Sequence, residues 1–188
     1  KKLYVNNPSD VPIVREGKEH FEADIIYTNR YLIDRVDKIE QQLIRKMYLD
    51  IEIEIIDGFP DINQADNKIT CISCYDNFNE KMCTFVVGKK FNSKYIFCSN
   101  ELELLIRFTN YFIDINPDLI IAWNGDQFDF PYLLKRMIKN KLDINKLSRI
   151  NQTILTDNRT KIKGRILFDL MYGYLHIIQH EGRESLAL

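Results

Sequence analysis

The 188-residue chain is most informative at first for what it lacks. It has seven glycines and five prolines, too few for a collagen-like repeat or a low-complexity linker. No glycine-rich phosphate loop and no Gly-x-Ser-x-Gly is present, which leaves nucleotide kinases and serine hydrolases without support. The longest apolar run, Leu119-Ile120-Ile121-Ala122-Trp123, is far short of the roughly 20 residues a membrane span needs. The three histidines include His176 and His180 at helical spacing, but without the acidic pattern of a zinc-binding helix. Four cysteines give a single CxxC, Cys71 and Cys74, with no second pair to complete a zinc ligand set. That pair lies in an apparent strand, where a spacing of three sends the thiols to opposite faces. Free thiols in a reducing compartment are therefore expected. The first residues, Lys1-Lys2, do not form a signal peptide, and Ser185-Leu186-Ala187-Leu188 is apolar without a stop signal. The sequence reads as a piece of a longer protein.

What is present is a globular composition, 45% hydrophobic and 28% charged, with a net charge of −1 that hides a strong asymmetry. Tyr48 to Asp66 carries six acids and no base, whereas Lys135 to Arg165 carries ten bases against two acids, a local +8. An acidic centre beside a basic flank suits a metal site next to a polyanion. A solvated basic face is the plain alternative.

Residues 1–42 have weak periodicity, broken at Pro8, Pro12 and Gly17, and read as the edge of a preceding domain or a linker. Tyr48 to Ile56 alternates apolar and acidic residues, a period-2 strand closed by turn residues Asp57 to Pro60. Two strands follow at 68–76 and 82–88 around a hairpin turn at 77–80, and Tyr95 to Cys98 adds a short one. Ser99 or Asn100 then caps a helix whose Leu102, Leu105, Ile106, Thr109, Phe112 and Ile113 share a stripe, stopped by Asn116-Pro117. Leu119 to Trp123 is apolar on both faces, as in a strand buried on both sides. Pro131 opens a helix to about Lys141, Ile166 to Phe168 reads as a strand, and 170–180 as a helix. Strands first and then alternating helix and strand predict an α/β domain with a mixed central sheet.

Two clusters could carry chemistry. Asp50 and Glu52, two apart on one strand, project from the same face about 7 Å apart, and Glu54 continues the row. Such a row is either a solvated acidic edge or a cation site, because a divalent ion relieves the repulsion of adjacent carboxylates. The second cluster, Asn124-Gly125-Asp126-Gln127-Phe128-Asp129, follows the buried strand directly, at the carboxyl end where α/β sheets place ligands. Asp129, just before Pro131, is equally suited to capping the helix, and Asn124 to serving only as a turn residue. Oxygen donors without cysteine or histidine select magnesium-type ions. A single strand of DNA would need a basic track and stacking aromatics, for which the +8 segment and Phe128, Phe130 and Tyr132 are candidates.

These clusters carry a resemblance. Asp50-Ile51-Glu52 resembles the first proofreading-exonuclease motif of family B DNA polymerases, and Asn124-x-x-x-Phe128-Asp129 resembles the second, 77 residues on from Glu52. Asn116 to Arg136 is similar to archaeal members almost throughout, Gly164 to Leu170 resembles the strand that follows, and Tyr4 to Val14 and Arg30 to Asp34 resemble the end of the preceding N-terminal domain. The resemblance implies a ribonuclease-H-like fold, its C-terminal part missing, spanning 43–188, with 1–42 the end of the N-terminal domain or a linker. It implies a 3′–5′ exonuclease that hydrolyses the terminal phosphodiester of DNA with two divalent ions, Mg²⁺ or Mn²⁺, one activating water and one stabilising the leaving oxygen. Asp50 would bridge both ions, Glu52 and Asp129 would hold one each, and Asn124 and Phe128 would position the last nucleotide. Asp169 matches a structural strand end and is left outside the site. The third motif, Tyr-x-x-x-Asp, is expected downstream of Leu188, which predicts weak activity for this segment alone. The implied partners are a single-stranded or primer 3′ end, the rest of the polymerase and, through it, a sliding clamp. The implied location is intracellular, cytoplasmic and nucleoid-associated in an archaeon, with no membrane. A non-catalytic nucleic-acid-binding or scaffold module of the same fold is the alternative.

Overall fold

The computed structural model describes residues 3–181 apart from 20, 22–24, 37, 39–41, 57, 59, 90–91 and 157–158, with 177–181 described by their backbone alone. The chain divides into two units, Lys1–Leu43 and Ile44–Leu188. In the first, a short helical turn at Pro8–Asp10 leads into α1, Val11–Arg15, and α2 spans Tyr27–Arg35, with an Arg30–Asp34 ion pair one turn apart at 2.8 Å. Neither α1 nor α2 buries a residue.

The second unit is built on β1, Lys46–Ile53. Its alternation is realised: Met47, Leu49 and Ile51 are buried, and Tyr48, Asp50 and Glu52 are exposed. β1 pairs antiparallel with β2, Ile69–Asp76, and parallel with β5, Leu119–Ala122. β3, Lys81–Val87, follows β2 through the expected hairpin, and β4, Ile96–Cys98, runs parallel to β3. With β8, Ile166–Asp169, the sheet order is β4-β3-β2-β1-β5-β8, a mixed six-stranded sheet. Central placement explains why β5 is nearly all apolar, since Ile120, Ile121 and Ala122 are buried.

Helix α3, Glu101–Ile115, lies against β2, β3 and β4; α4, Asp129–Lys139, lies against β1; and α5, Leu170–Glu181, follows β8. The Asn100 side chain caps α3 by accepting from the Glu103 N–H, and Glu103 reaches back to the Ser99 N–H. Asn116 ends α3 in the left-handed conformation (φ 50°). The stripe expected on α3 is turned. Leu104, Leu105, Phe108, Thr109, Phe112 and Ile115 face inward, while Leu102, Ile106 and Ile113 are exposed. The helix carries more apolar residues than one face holds. The face with Phe108 and Phe112 wins because those rings bury more area, Phe108 edge-on to Phe85 at 6.2 Å.

Two strands were not foreseen: β6, Thr153–Thr156, and β7, Arg159–Ile162, form a separate antiparallel hairpin inside the basic segment. Strands only four residues long, the second with Arg159 and Lys161 at alternate positions, give little signal. The row of acids also stops short of expectation. The pairing shifts between Glu52 and Ile53, β1 ends there, and the Glu54 carboxylate accepts the Lys68 N–H at 3.0 Å. Cys71 is half-buried and Cys74 buried, and all four cysteines are free thiols. No described helix is long and apolar enough to cross a membrane.

Candidate active site

Asp50 and Glu52 stand on the exposed face of β1, opposite Ser73 and Cys71 of β2. The parallel β1–β5 pairing brings the end of β5 alongside them, and the loop 123–128 starts there. Asp129 is the first residue of α4, nearly fully buried, and it does not cap its own helix: Phe128 holds the cap position, with no side-chain cap bond. The Asp129 Oδ1 instead accepts the backbone N–H of Ile51 at 3.2 Å, across 78 residues of sequence, between the two acids of β1. Burial pushes this carboxyl up to about 6, and the negative charges of Asp50 and Asp169 add to the rise. Pro131, expected to open α4, is its third residue.

The loop is fixed from beneath by Asp169. Its carboxylate is buried and accepts four backbone N–H groups: those of Asn124 (3.1 Å), Asp126 (3.2 Å), Met171 (2.9 Å) and Tyr172 (3.2 Å). One carboxylate thus joins the loop after β5 to the start of α5. Sequence reasoning set Asp169 aside as a strand end and missed this role. The signal was its place at the end of β8, opposite Ala122 of β5. Asn124 adopts a left-handed backbone (φ 58°), and Gly125 is held where a Cβ would come within 2.7 Å of both Ala122 Cβ and the Phe130 ring. Phe128 is half-buried, its ring stacked on Tyr132 at 5.5 Å. Tyr132 and Phe130 are core residues, and the Tyr132 hydroxyl donates to the Asn67 carbonyl.

Of the expected site residues, Asp129 meets the β1 backbone beside Asp50 and Glu52, and Asn124 and Phe128 lie on the loop leading to it. Among the described residues, no group of three or more His, Cys, Asp or Glu is gathered closely enough to hold a metal ion. The donors nevertheless suit a hard cation: they are all oxygens, and the buried Asp129 carboxyl opposes the charge of Asp50, a repulsion that a divalent ion relieves.

Part of the basic segment is paired within the domain, one pair of it buried. Arg136 is buried and paired with Glu101, Arg149 pairs with Asp118 at 2.8 Å, and Lys139 pairs with Asp66. Arg165 donates to the Leu147 carbonyl and lies 4.8 Å over the Phe112 ring; burial, with Arg149 nearby, brings it down to about 10. Lys139 and Arg149 are exposed although paired, and Lys141, Lys146, Arg159 and Lys161 are exposed as well.

Comparison with known proteins gives the family. The family model "DNA polymerase family B, exonuclease domain" matches residues 18–175. The chain belongs to that family. The domain is 35% identical over 185 residues to a DNA polymerase of Pyrococcus glycovorans, covering 91% of this chain and 23% of that protein. It is 35% identical over 185 residues to DNA polymerase 1 of Pyrococcus abyssi, covering 90% of this chain and 23% of that protein. It is 33% identical over 189 residues to a DNA polymerase of Thermococcus kodakarensis, covering 90% of this chain and 11% of that one. This exonuclease domain therefore spans less than a quarter of the length of these relatives. Its mixed sheet flanked by helices is the ribonuclease-H-like architecture expected for the family.

Proposed function

We propose that the chain hydrolyses the 3′-terminal phosphodiester of single-stranded DNA, as the proofreading part of a longer polymerase, with residues 1–42 belonging to the preceding domain or linker and 43–188 to the exonuclease. The observation that carries this reading is the Asp129 carboxylate bonded to the Ile51 N–H, which sets the acid of the second motif between the two acids of the first. Asp50, Glu52 and Asp129 would hold divalent cations, Mg²⁺ or Mn²⁺, and Asn124 and Phe128 would contact the terminal nucleotide. A bound pair of such ions supplies an activated water and neutralises charge on the leaving oxygen.

The chain's own residues prepare that chemistry. Asp50 and Glu52, exposed on a rigid central strand, present two carboxylates to one side of the sheet. The Ile51 N–H fixes one oxygen of Asp129. Its elevated pKa means that Asp129 holds a proton below about pH 6 when no cation is present, so a cation must displace that proton there. Asp169 and Gly125 hold the Asn124 loop in the one conformation that reaches this edge. DNA and the remainder of the polymerase are the partners this reading implies, with a sliding clamp reached through the latter.

The test is incubation with a single strand labelled at its 3′ end, with Mg²⁺ or Mn²⁺. The expected result is slow stepwise removal of 3′ nucleotides, abolished by chelator and by Asp50→Asn or Asp129→Asn. Strand binding without hydrolysis under either metal favours the non-catalytic module, a reading that the absence of a three-ligand cluster among the described residues keeps in play.

A further inference from the structure

Trp123 is the chain's single tryptophan. It follows β5 directly, precedes Asn124 and is 56% exposed. Its ring meets that of Tyr174 on α5, with centroids 6.0 Å apart and planes tilted by 52°. Tyr174 is itself 45% exposed. Two separate elements thus offer aromatic rings to solvent as one unit. Single exposed aromatics are common and need no explanation, but this pair is held in place by buried structure. Asp169 accepts the N–H of Asn124, next to Trp123, and those of Met171 and Tyr172, at the start of α5. Gly173 lets α5 approach β8 so closely that a Cβ there would come within 2.6 Å of the Phe168 ring. The pair is also placed at the carboxylates. Tyr48 and Ile121 are paired between β1 and β5, and two residues further along each chain stand Asp50 and Trp123.

We propose that Trp123 and Tyr174 form a base-stacking subsite for single-stranded DNA beside Asp50 and Asp129. The proposal deepens the nuclease reading and rests on it. A cluster of carboxylates repels the phosphates of an approaching strand, and three cations of the basic segment, Arg136, Lys139 and Arg149, are already paired with carboxylates. Stacking supplies attraction that needs no charge and accepts any base, as a nuclease without sequence preference requires. Because Asp169 fixes both supports, little ordering entropy is lost when a base docks.

The lone tryptophan makes the test direct. The whole chain is titrated with a short oligothymidylate in chelator, so that the strand stays intact, while Trp123 emission and the anisotropy of a dye on the oligonucleotide are followed together. Saturable quenching of Trp123 is expected. Trp123→Ala and Tyr174→Ala are expected to weaken binding roughly 5- to 100-fold, with Trp123→Phe restoring most of it. Both side chains are half-exposed, and circular dichroism checks that the variants fold. Binding without quenching, and with Trp123→Ala unchanged, overturns the subsite and leaves the nuclease reading standing. A folded chain that shows no anisotropy change overturns both.

Discussion

Asp129 shows how one buried carboxyl weighs on the stability of its own fold. A carboxyl held at about 6 instead of its ordinary 3.8 binds a proton more tightly folded than unfolded. Its contribution therefore favours folding below about pH 4 and is lost as the pH rises through 6, an expected cost of up to about 3 kcal/mol at neutral pH without metal. Asp129→Asn keeps the oxygen that accepts the Ile51 N–H and removes the charge. In urea unfolding at pH 7.5 with chelator, that variant is expected to be more stable than the parent by about 1–3 kcal/mol, the gain vanishing near pH 4. A less stable Asn variant at pH 7.5 would mean that Asp129 is structural. Gly125 answers to packing alone. Gly125→Ala forces a methyl against Ala122 and Phe130, two buried neighbours, and is expected to cost about 1–3 kcal/mol in thermal unfolding. Asp129 was legible as a candidate because it sits at a strand end before a proline. The same signal equally suggested a helix cap, and the third dimension, with Ile51 as its partner, removes the cap reading.

At the scale of elements, α4 is aimed by a buried ion pair. Arg136 donates to both Glu101 oxygens and to the Ala65 and Asp66 carbonyls, while Glu101 also accepts from the Ile69 and Asn140 nitrogens. Burial pushes the Glu101 carboxyl up, but these hydrogen bonds outweigh it and hold it below its ordinary value. The pair fastens the far half of α4 to α3 and to the start of β2. Glu101→Leu or Arg136→Met alone should cost about 3–5 kcal/mol, because each leaves its partner charged and buried, whereas the double variant should recover most of that loss in a double-mutant cycle. Additive losses would show that the two groups act independently. Nothing in the sequence pointed to this pair, since Arg136 read as one of ten bases on a charged flank and Glu101 was not singled out. Strands β1 and β5 were legible because burial on one face or on both leaves a plain pattern. The α3 stripe was misread because two apolar stripes compete on that helix, and β6 and β7 were missed because each is four residues long.

Across the whole molecule, the mixed sheet gathers residues from three distant stretches at one end of its central strands: Asp50 and Glu52 from β1, the Asn124 loop and Asp129 after β5, and Asp169 from β8. Under the proposed function this gathering is a site for divalent cations. Titration of the chelator-treated chain with Mn²⁺, followed by the loss of the free-ion paramagnetic resonance signal, tests it most directly. Saturable binding is expected, weakened at least about 10-fold in both Asp50→Asn and Asp129→Asn, while Glu54→Gln, whose carboxylate is occupied by the Lys68 N–H, is expected to bind as the parent does. Equal Mn²⁺ affinity in the parent and in both Asp variants would contradict it.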